Sequence, residues 1–293
     1  MADEKIMEGI VTETIGGFFY VADNNREIHQ CRIRGKVQET IYPGDKVRIE
    51  DKMIEELIER ENLLPRPKVA NVSAVNIMFS VNQPEINFNM IDRFLLLIER
   101  EGFNPVIFIN KLDLEPNFAE EKNKKLAAYE KAGYSIFIFS VKEQTNLRQV
   151  EKSLQRGINV MAGPSGVGKT ALINKLVPEA DLELGDISEK LGRGTHTTRQ
   201  VKLLPLKKGG WVADTPGFTS LSLENLFPEE VKLCFPEFAE YRNSCHFSSC
   251  SHTHEPDCAV KKAVAAGEIA EFRYESYCEL LEIVQEKGGP DYG

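Results

Sequence analysis

Short runs in which apolar and polar residues alternate fill the first 65 residues of the chain. This pattern, interrupted by turn residues such as Gly16-Gly17 and Pro43-Gly44, predicts short half-buried strands. The expected strands are 6–14, 18–21, 27–34, 45–50 and 53–60. The last of these stretches is an equally good helix by propensity. Five short strands in so few residues favour a small barrel of the OB or SH3 kind, which can bind RNA or serve as a spacer.

The pattern changes after Pro65-Arg66-Pro67, which predicts a linker because proline disfavours helical backbone in the residue before it. Apolar runs then alternate with amphipathic stretches. We expect strands at 75–81, 105–109, 134–139, 158–162, 201–206 and 211–213, and helices at 91–100, 119–131, 147–154 and 169–177. This alternation predicts an α/β unit with a mostly parallel sheet, in which ligands bind beyond the carboxyl ends of the strands.

The last part of the chain is rich in Cys and His and then helical, with helices expected at 259–266 and 270–285. We therefore expect three domains, at 1–65, 66–225 and 226–293. The third domain carries six basic and thirteen acidic side chains, and the whole chain has a net charge of −9. This balance argues against coating of nucleic acid through bulk charge. Basic side chains are locally in excess at 26–36 and 186–208.

Nothing in the apolar pattern predicts a membrane segment, since runs such as 106–109 and 136–139 are far shorter than a bilayer span. The first residues lack the basic and apolar regions of a signal peptide. We therefore expect a cytoplasmic protein with no membrane partner and, as its oligomeric state, a monomer. Five of the six cysteines lie beyond residue 230, and in the cytosol disulfides are not expected.

A glycine-rich segment follows the apolar run 158–162 and opens a helix, which is the setting that a phosphate-binding P-loop requires. Its residues are Gly163, Pro164, Ser165, Gly166, Val167, Gly168, Lys169 and Thr170. Backbone amides of such a loop cradle a polyphosphate. Lys169 would reach the β and γ phosphates, and the Thr170 hydroxyl would bind Mg²⁺. Asp214-Thr-Pro-Gly217 ends another apolar run, so Asp214 could hold Mg²⁺ and the Gly217 amide could sense the γ-phosphate.

The segment Asn110-Lys111-Leu112-Asp113 carries the groups that guanine demands. The Asp113 carboxylate can accept from the two N–H donors of guanine, Asn110 can bond its far edge, and the stem of Lys111 can lie on the ring. Adenine would leave Asp113 unpaired, at a cost of about 1–3 kcal/mol. Ser140 follows the next strand, where backbone amides could meet the guanine oxygen. These residues favour GTP over ATP, and a P-loop ATPase is the alternative.

The order of these motifs is unusual. Guanine-specific GTPases carry the P-loop first and the Asn-Lys-X-Asp motif last, whereas here Asn110–Asp113 precedes the P-loop. The chain therefore looks like a circularly permuted GTPase. With its N-terminal barrel and its Cys/His tail, it resembles the ribosome small subunit-dependent GTPase A family over nearly its whole length. The segment 192–199 matches the first-switch signature of that family.

This resemblance implies a GTPase that hydrolyses GTP to GDP in late maturation of the 30S subunit, stimulated by the ribosome, with 16S rRNA as a partner. The residue after the Asp214–Gly217 turn is Phe218, which cannot orient a water molecule. Among the residues of the chain, His196 is the catalytic candidate, beside Lys169 and the Mg²⁺ candidate Thr198. His196 could also contact RNA or lie on the surface, a ribosomal partner could complete the site, and Thr197 is the alternative to Thr198.

Three thiols and one imidazole lie close together in Cys245-X4-Cys250-X-His252-X5-Cys258. This set matches a closed tetrahedral site for one structural Zn²⁺. His246 and His254 are rivals of His252, and Cys31, Cys234 and Cys278 are expected to be small buried apolar residues.

The predicted fold class is thus a circularly permuted P-loop GTPase domain with a five-stranded OB-like barrel before it and a zinc-binding helical domain after it. The alternative function is a non-enzymatic, GTP-sensing scaffold that binds rRNA.

Overall fold

The computed structural model describes residues 6–35, 37–180, 182, 201–214, 223 and 226–286, and of Asp214 it describes the backbone alone. Within these ranges, no helix combines the length and the apolar character needed to cross a membrane.

Five strands close into the predicted N-terminal barrel. They are β1 (Met7–Ile15), β2 (Phe18–Asp23), β3 (Ile28–Ile33), β4 (Lys46–Glu50) and β5 (Met53–Leu57). Around the barrel their order is β1-β2-β3-β5-β4. The alternation of the sequence places Val11, Val21 and Val47 inside. The stretch 53–60, which fits a helix equally well by propensity, contains strand β5 because Met53–Leu57 pairs with both β3 and β4.

The linker predicted at Pro65-Arg66-Pro67 is wrong. Pro65 is the last residue of β6 (Leu63–Pro65), and Arg66 and Pro67 form the turn to β7 (Lys68–Ala70), which pairs antiparallel with β6. The two prolines are compatible with this hairpin because it has only two strands, so proline can stand at an edge. Asn71 Nδ2 donates to the Gly44 carbonyl of the barrel at 2.9 Å. The barrel is thus hydrogen-bonded to the segment that leads into the next unit.

The second unit is a six-stranded sheet in the order β10-β9-β8-β11-β13-β12. Its strands are β8 (Val72–Ser80), β9 (Pro105–Asn110), β10 (Ser135–Ile138), β11 (Ile158–Ala162), β12 (Lys202–Pro205) and β13 (Trp211–Asp214). All neighbours pair parallel except β12, which runs antiparallel to β13. The helices between them are α1 (Phe88–Arg100), α2 (Glu120–Lys131), α3 (Leu147–Ser153) and α4 (Lys169–Leu176). This confirms the mostly parallel α/β sheet.

The barrel lies against the β12–β13 side of this sheet. Ala22 of the barrel belongs to the same buried apolar cluster as Trp211. The guanidinium of Arg26 lies 5.4 Å from the centre of the Trp211 ring, and its Nη1 donates to the Leu206 carbonyl. The contact between barrel and sheet is therefore both apolar and cationic.

The C-terminal unit consists of short helical turns and the helices α5 (Pro228–Val231), α6 (Ala259–Ala265) and α7 (Glu271–Glu286). It packs on α1, which has two apolar faces. Ile91 and Leu95 of α1 belong to the core of the sheet, whereas Leu96 belongs to the core of the C-terminal unit. Helix α1 therefore contributes buried side chains to the cores of both units.

Candidate nucleotide site and metal centre

The P-loop candidate lies between β11 and α4, at the carboxyl edge of the sheet. Gly163 has φ 129°, and a Cβ there would stand 2.1 Å from the Met78 carbonyl oxygen, so this position requires glycine. Lys169 Nζ donates to the carbonyls of Gly163 at 2.8 Å and Pro164 at 2.6 Å. The ammonium therefore lies at the mouth of the loop, and Thr170 follows it on the first turn of α4.

The base-recognition candidate follows β9 on the same edge. Lys111 adopts a left-handed backbone with φ 62°, and a 3-10 turn over Leu112–Leu114 carries Asp113. Ser140 Oγ donates to Asp113 Oδ1 at 2.5 Å and accepts from the Glu143 amide at 3.0 Å. Ser140 therefore fixes the orientation of the Asp113 carboxylate, a role that differs from the predicted use of backbone amides after that strand.

Two side chains join the base-recognition segment to the P-loop. Asn110 Nδ2 donates to the Val167 carbonyl at 2.9 Å, and Lys111 Nζ donates to the Gly166 carbonyl at 2.7 Å. A Cβ on Gly168 would stand 2.4 Å from Asn110 Nδ2, so the two loops touch. Residues 57 positions apart are thus in direct contact at the carboxyl edge of the sheet. One nucleotide could therefore be held by both loops.

The predicted first switch and the residues after Asp214 cannot be placed in the site. His196, Thr197, Thr198, Gly217 and Phe218 lie outside the described residues. Asp214 ends β13 beside β11, the strand that leads into the P-loop. The predictions for Mg²⁺ and for catalysis therefore stay predictions.

One contact at the carboxyl edge of the sheet could not be predicted from the sequence. The ammonium of Lys111 also donates to the carbonyl of Gln83, in the loop between β8 and α1. A main-chain acceptor can belong to any residue type, so no residue pattern could have identified it. The P-loop (163–170), the base-recognition segment (110–113) and this loop (81–87) therefore meet at the carboxyl edge of the sheet, which we call the nucleotide edge.

The four metal-ligand candidates of the C-terminal unit come together, with their ligand atoms within 4.8 Å of one another. Cys245 Sγ lies 3.8 Å from Cys258 Sγ and 3.5 Å from His252 Nδ1, and Cys258 Sγ lies 3.4 Å from the same nitrogen. A tetrahedron with Zn–S bonds of about 2.3 Å has edges of about 3.8 Å. The donor set and its spacing therefore fit a structural Zn²⁺.

The rival histidines do not join this group. His254 Nδ1 contacts the Thr253 hydroxyl at 3.0 Å, and the His246 ring stacks edge-on with Phe247. His252 Nδ1 faces the sulfurs, while its Nε2 is buried with no hydrogen-bond partner among the described residues. The imidazole is thus oriented by packing against Phe238 and Tyr277 rather than by a polar partner.

Residues outside the four ligand candidates stabilise the segment 245–258, which we call the metal loop. Tyr274 donates to the His252 carbonyl at 2.7 Å, and Tyr277 donates to the Ser251 carbonyl at 2.5 Å. Burial alone raises the pKa of Glu255, but hydrogen bonds from Ser251 and Thr253 lower it to about 2. Glu255 therefore stays ionised at neutral pH and anchors the loop.

The electrostatics of the thiols differ within the cluster. Burial raises the pKa of Cys245, but hydrogen bonds from the backbone amides of Ala259 and Val260 and from the thiols of Cys258 and Cys250 together outweigh this effect, and the pKa is lowered. Burial raises the pKa of Cys250 to about 12. Because metal binding requires deprotonated thiols, a bound cation would be needed to keep Cys250 as a thiolate. Of the other cysteines, Cys31 and Cys234 are buried and Cys278 is half-buried.

Comparisons with known proteins agree with this architecture. The RsgA GTPase family model matches residues 57–224, and the RsgA N-terminal domain model matches residues 8–56. The chain is 41% identical to small ribosomal subunit biogenesis GTPase RsgA of Alkaliphilus metalliredigens, covering 96% of this chain and 97% of the relative. It is 42% identical to the protein of the same name from Halalkalibacterium halodurans, covering 95% and 97%.

Solved structures give the same result. YloQ, described as a circularly permuted GTPase, matches with a TM-score of 0.83 and 34% identity, covering 100% of this chain and 99% of that one. YjeQ from Thermotoga maritima matches with a TM-score of 0.79 and 35% identity, covering 96% and 99%. The predicted permuted fold and the predicted GTP hydrolase are confirmed. By sequence and by fold, the chain belongs to the RsgA GTPase family.

Proposed function

We propose that this protein uses GTP hydrolysis in maturation of the small ribosomal subunit. The names of its relatives support the ribosomal role. The chemistry rests on one observation, the joining of the base-recognition segment to the P-loop by Asn110 and Lys111. Because both loops share one edge of the sheet, a single GTP can be held at its base and at its phosphates.

Each part of the site has a proposed task. Asp113, oriented by Ser140, accepts the N–H donors of guanine, and the stem of Lys111 covers the base. The amides of the P-loop and the ammonium of Lys169 neutralise the phosphate charge. Mg²⁺, when bound, would be held by Thr170, Asp214 and Thr198, and it would stabilise the negative charge that develops on the β and γ phosphates as the γ-phosphoryl group passes to water and GDP leaves.

The water molecule that attacks GTP needs an orienting group, and Phe218 cannot supply one. We assign this task to His196, with a contact from the small subunit as the alternative. The barrel is the proposed contact to 16S rRNA, and the Zn²⁺ keeps the loop 245–258 folded. We expect the protein to act in the cytoplasm as a monomer.

Single-turnover GTP hydrolysis, measured with and without purified small subunits, tests this function. We expect the small subunit to accelerate hydrolysis by at least tenfold, whereas purified large subunits, the matched control, leave the rate unchanged. Equal rates with and without small subunits would overturn the proposed ribosomal role. Comparing His196→Ala with wild type in the same assay, at saturating small subunit, separates a catalytic histidine, whose loss lowers the stimulated rate, from a histidine that only contacts RNA or lies on the surface.

A further inference from the structure

A buried arginine ties helix α7 of the C-terminal unit to helix α1 of the nucleotide-binding unit. Arg273 has only 1% of its surface exposed. Its Nη1 donates to Asp92 Oδ1 at 2.5 Å, and its Nε donates to Glu237 Oε1 at 2.6 Å. The hydroxyl of Tyr129 donates to the same oxygen of Asp92 at 2.5 Å. One guanidinium thus connects α7, α1 and the segment before the metal loop.

Two carboxylates and two aromatic rings surround this guanidinium. Carboxylates hold it in its plane, and the rings of Phe235 and Tyr129 lie 4.6 and 5.0 Å from it. Buried ion pairs of this kind add little net stability compared with apolar side chains of similar size, but losing one partner is costly because the other charge stays buried. Removing either Asp92 or Arg273 should therefore disturb the contact between the C-terminal unit and α1.

Helix α1 begins at the nucleotide edge. Asn87 caps it by accepting from the Met90 amide at 2.9 Å. The loop before this cap contains Gln83, whose carbonyl receives the ammonium of Lys111, and that ammonium also contacts the P-loop at Gly166. Lys111 therefore joins the P-loop to Gln83, which precedes the Asn87 cap by four positions along the chain.

Helix α7 ends this series of contacts at the metal loop. The residue after Arg273 is Tyr274, which holds the His252 carbonyl, and one turn later Tyr277 holds the Ser251 carbonyl. The described residues thus form a continuous route from Gly166 to His252, made of the contacts of Lys111, Arg273 and Tyr274 and of the backbone of α1 and α7 between them. This route is separate from the covalent connection through residues 215–225.

We propose that Arg273 couples guanine-nucleotide binding to the stability of the metal loop 245–258 through its contact with Asp92. Nucleotide binding at the joined loops changes how often the metal loop opens, and Arg273 is the positioning residue that transmits this change. Since coupling between two sites is reciprocal, closing of the metal loop changes nucleotide affinity by the same factor. The proposal rests on nucleotide binding at the proposed site but not on the ribosomal role.

Hydrogen–deuterium exchange of the zinc-loaded, full-length protein tests it, with and without saturating GDP. We expect GDP to change the exchange rate of peptides covering 245–258 by about fivefold or more, within the usual range of coupling between sites. In Asp92→Asn, which keeps the side-chain volume and removes the charge, the change should fall below twofold while GDP affinity and zinc content stay at wild-type levels.

The same two helices offer a matched control. Asn89 Nδ2 of α1 donates to Glu279 Oε2 of α7 at 3.0 Å, but this contact is exposed. Glu279→Gln should keep the full response to GDP. A general loosening of the contact between α1 and α7 would affect both variants, whereas transmission through Arg273 affects only Asp92→Asn.

Two results would overturn the proposal: no change in loop exchange when GDP is bound to the wild type, or a full response in Asp92→Asn. If Asp92→Asn fails to fold or loses zinc, the double variant Asp92→Asn with Arg273→Met decides, because it removes the whole ion pair and leaves no buried guanidinium without its carboxylate. We then expect a response at least twofold smaller, and a full response contradicts the proposal. A wild type that binds no GDP would instead refute the proposed nucleotide site.

Discussion

The nucleotide edge and the metal loop are built in opposite ways. The nucleotide edge collects residues that are distant in sequence, such as Asn110 and Val167, at the ends of parallel strands with a buried core beneath them. The metal loop takes all four ligand candidates from residues 245–258, and none of them lies in a strand. A site on a sheet is shaped by the fold, whereas a local loop needs its ligand to stay folded.

Metal removal should therefore produce the largest difference between the two regions. Structural zinc contributes on the order of 10 kcal/mol to isolated zinc-binding peptides. We expect Cys250→Ser, or treatment with a chelator, to abolish exchange protection in residues 228–286 while the barrel and sheet stay protected. Hydrogen exchange by mass spectrometry measures both regions at once.

Cys278→Ser is the control for this change, because Cys278 is half-buried and stands outside the metal cluster. It should retain zinc and protection. If the C-terminal unit of Cys250→Ser keeps its protection, the loop is shaped by packing and not by metal.

On the nucleotide edge, Gly168→Ala should do the most damage. The added Cβ would stand 2.4 Å from Asn110 Nδ2, at a φ of 102°. We expect nucleotide affinity to fall by at least about 100-fold, since the bond that joins the two loops is broken, and stability to fall by about 1–3 kcal/mol from the strained backbone. Titration with a fluorescent GTP derivative measures the affinity.

Gly133→Ala separates backbone strain from contact. Gly133 has nearly the same φ, 101°, but a Cβ there meets no atom within 4 Å. It should lose stability and keep nucleotide affinity. Equal affinity loss in both variants would mean that strain, and not contact between the loops, shapes the nucleotide edge.

Base selection gives a more specific effect, on nucleotide affinity and not on stability. Asp113→Asn replaces an acceptor with an amide that can donate, so GTP affinity should fall about 100-fold, equivalent to about 2.7 kcal/mol. Xanthosine triphosphate, which carries a carbonyl where guanine has its amino group, should bind the variant better than GTP does. Competition binding measures both, with the exposed Glu143→Gln as control. An unchanged preference among nucleotides would contradict the role of Asp113.

The smallest effect is expected on thermal stability, at Glu99 of α1, the helix that lies between the nucleotide edge and the metal loop. Burial raises the pKa of Glu99 above its ordinary value of 4.5. As pH rises past 4.5, the carboxyl ionises in the unfolded chain first, so the folded protein loses stability until Glu99 ionises there too. Glu99→Gln should therefore be more stable than wild type at neutral pH, by at most about 2 °C in Tm because solvent screens a half-buried group.

Thermal unfolding as a function of pH checks this difference, which should vanish below about pH 4. Glu130→Gln on the exposed face of α2 is the control and should change nothing. A constant difference at every pH would point to packing and not to charge.

Much of the fold follows from the apolar pattern, because the barrel strands alternate apolar and polar residues while central strands of the sheet, such as β9 and β11, are continuous buried runs. The boundaries depend on contacts that this pattern does not encode. Helix α1 begins at Phe88 and not at the expected residue 91, because the Asn87 side chain caps it. The hairpin at Pro65–Pro67 depends on pairing between Leu63 and Ala70, which proline content cannot predict.

The candidate sites divide in the same manner. The metal cluster is visible in the sequence because its ligands are chemically distinctive and close together. The contact of Lys111 with the Gln83 carbonyl and the pairing of Asp92 with Arg273 join residues that are distant in sequence. An aspartate and an arginine on separate helices are ordinary surface residues in any sequence pattern, and only the fold buries them together.

The chain contains a single tryptophan, Trp211, at the start of β13 and beneath the guanidinium of Arg26. Its indole emission therefore comes from one position, where the barrel meets the strand that ends in Asp214. An intrinsic optical reporter is thus built into this junction. The intensity and wavelength of this emission would report, without any added label, whether the barrel stays in contact with the sheet while nucleotide is bound and hydrolysed.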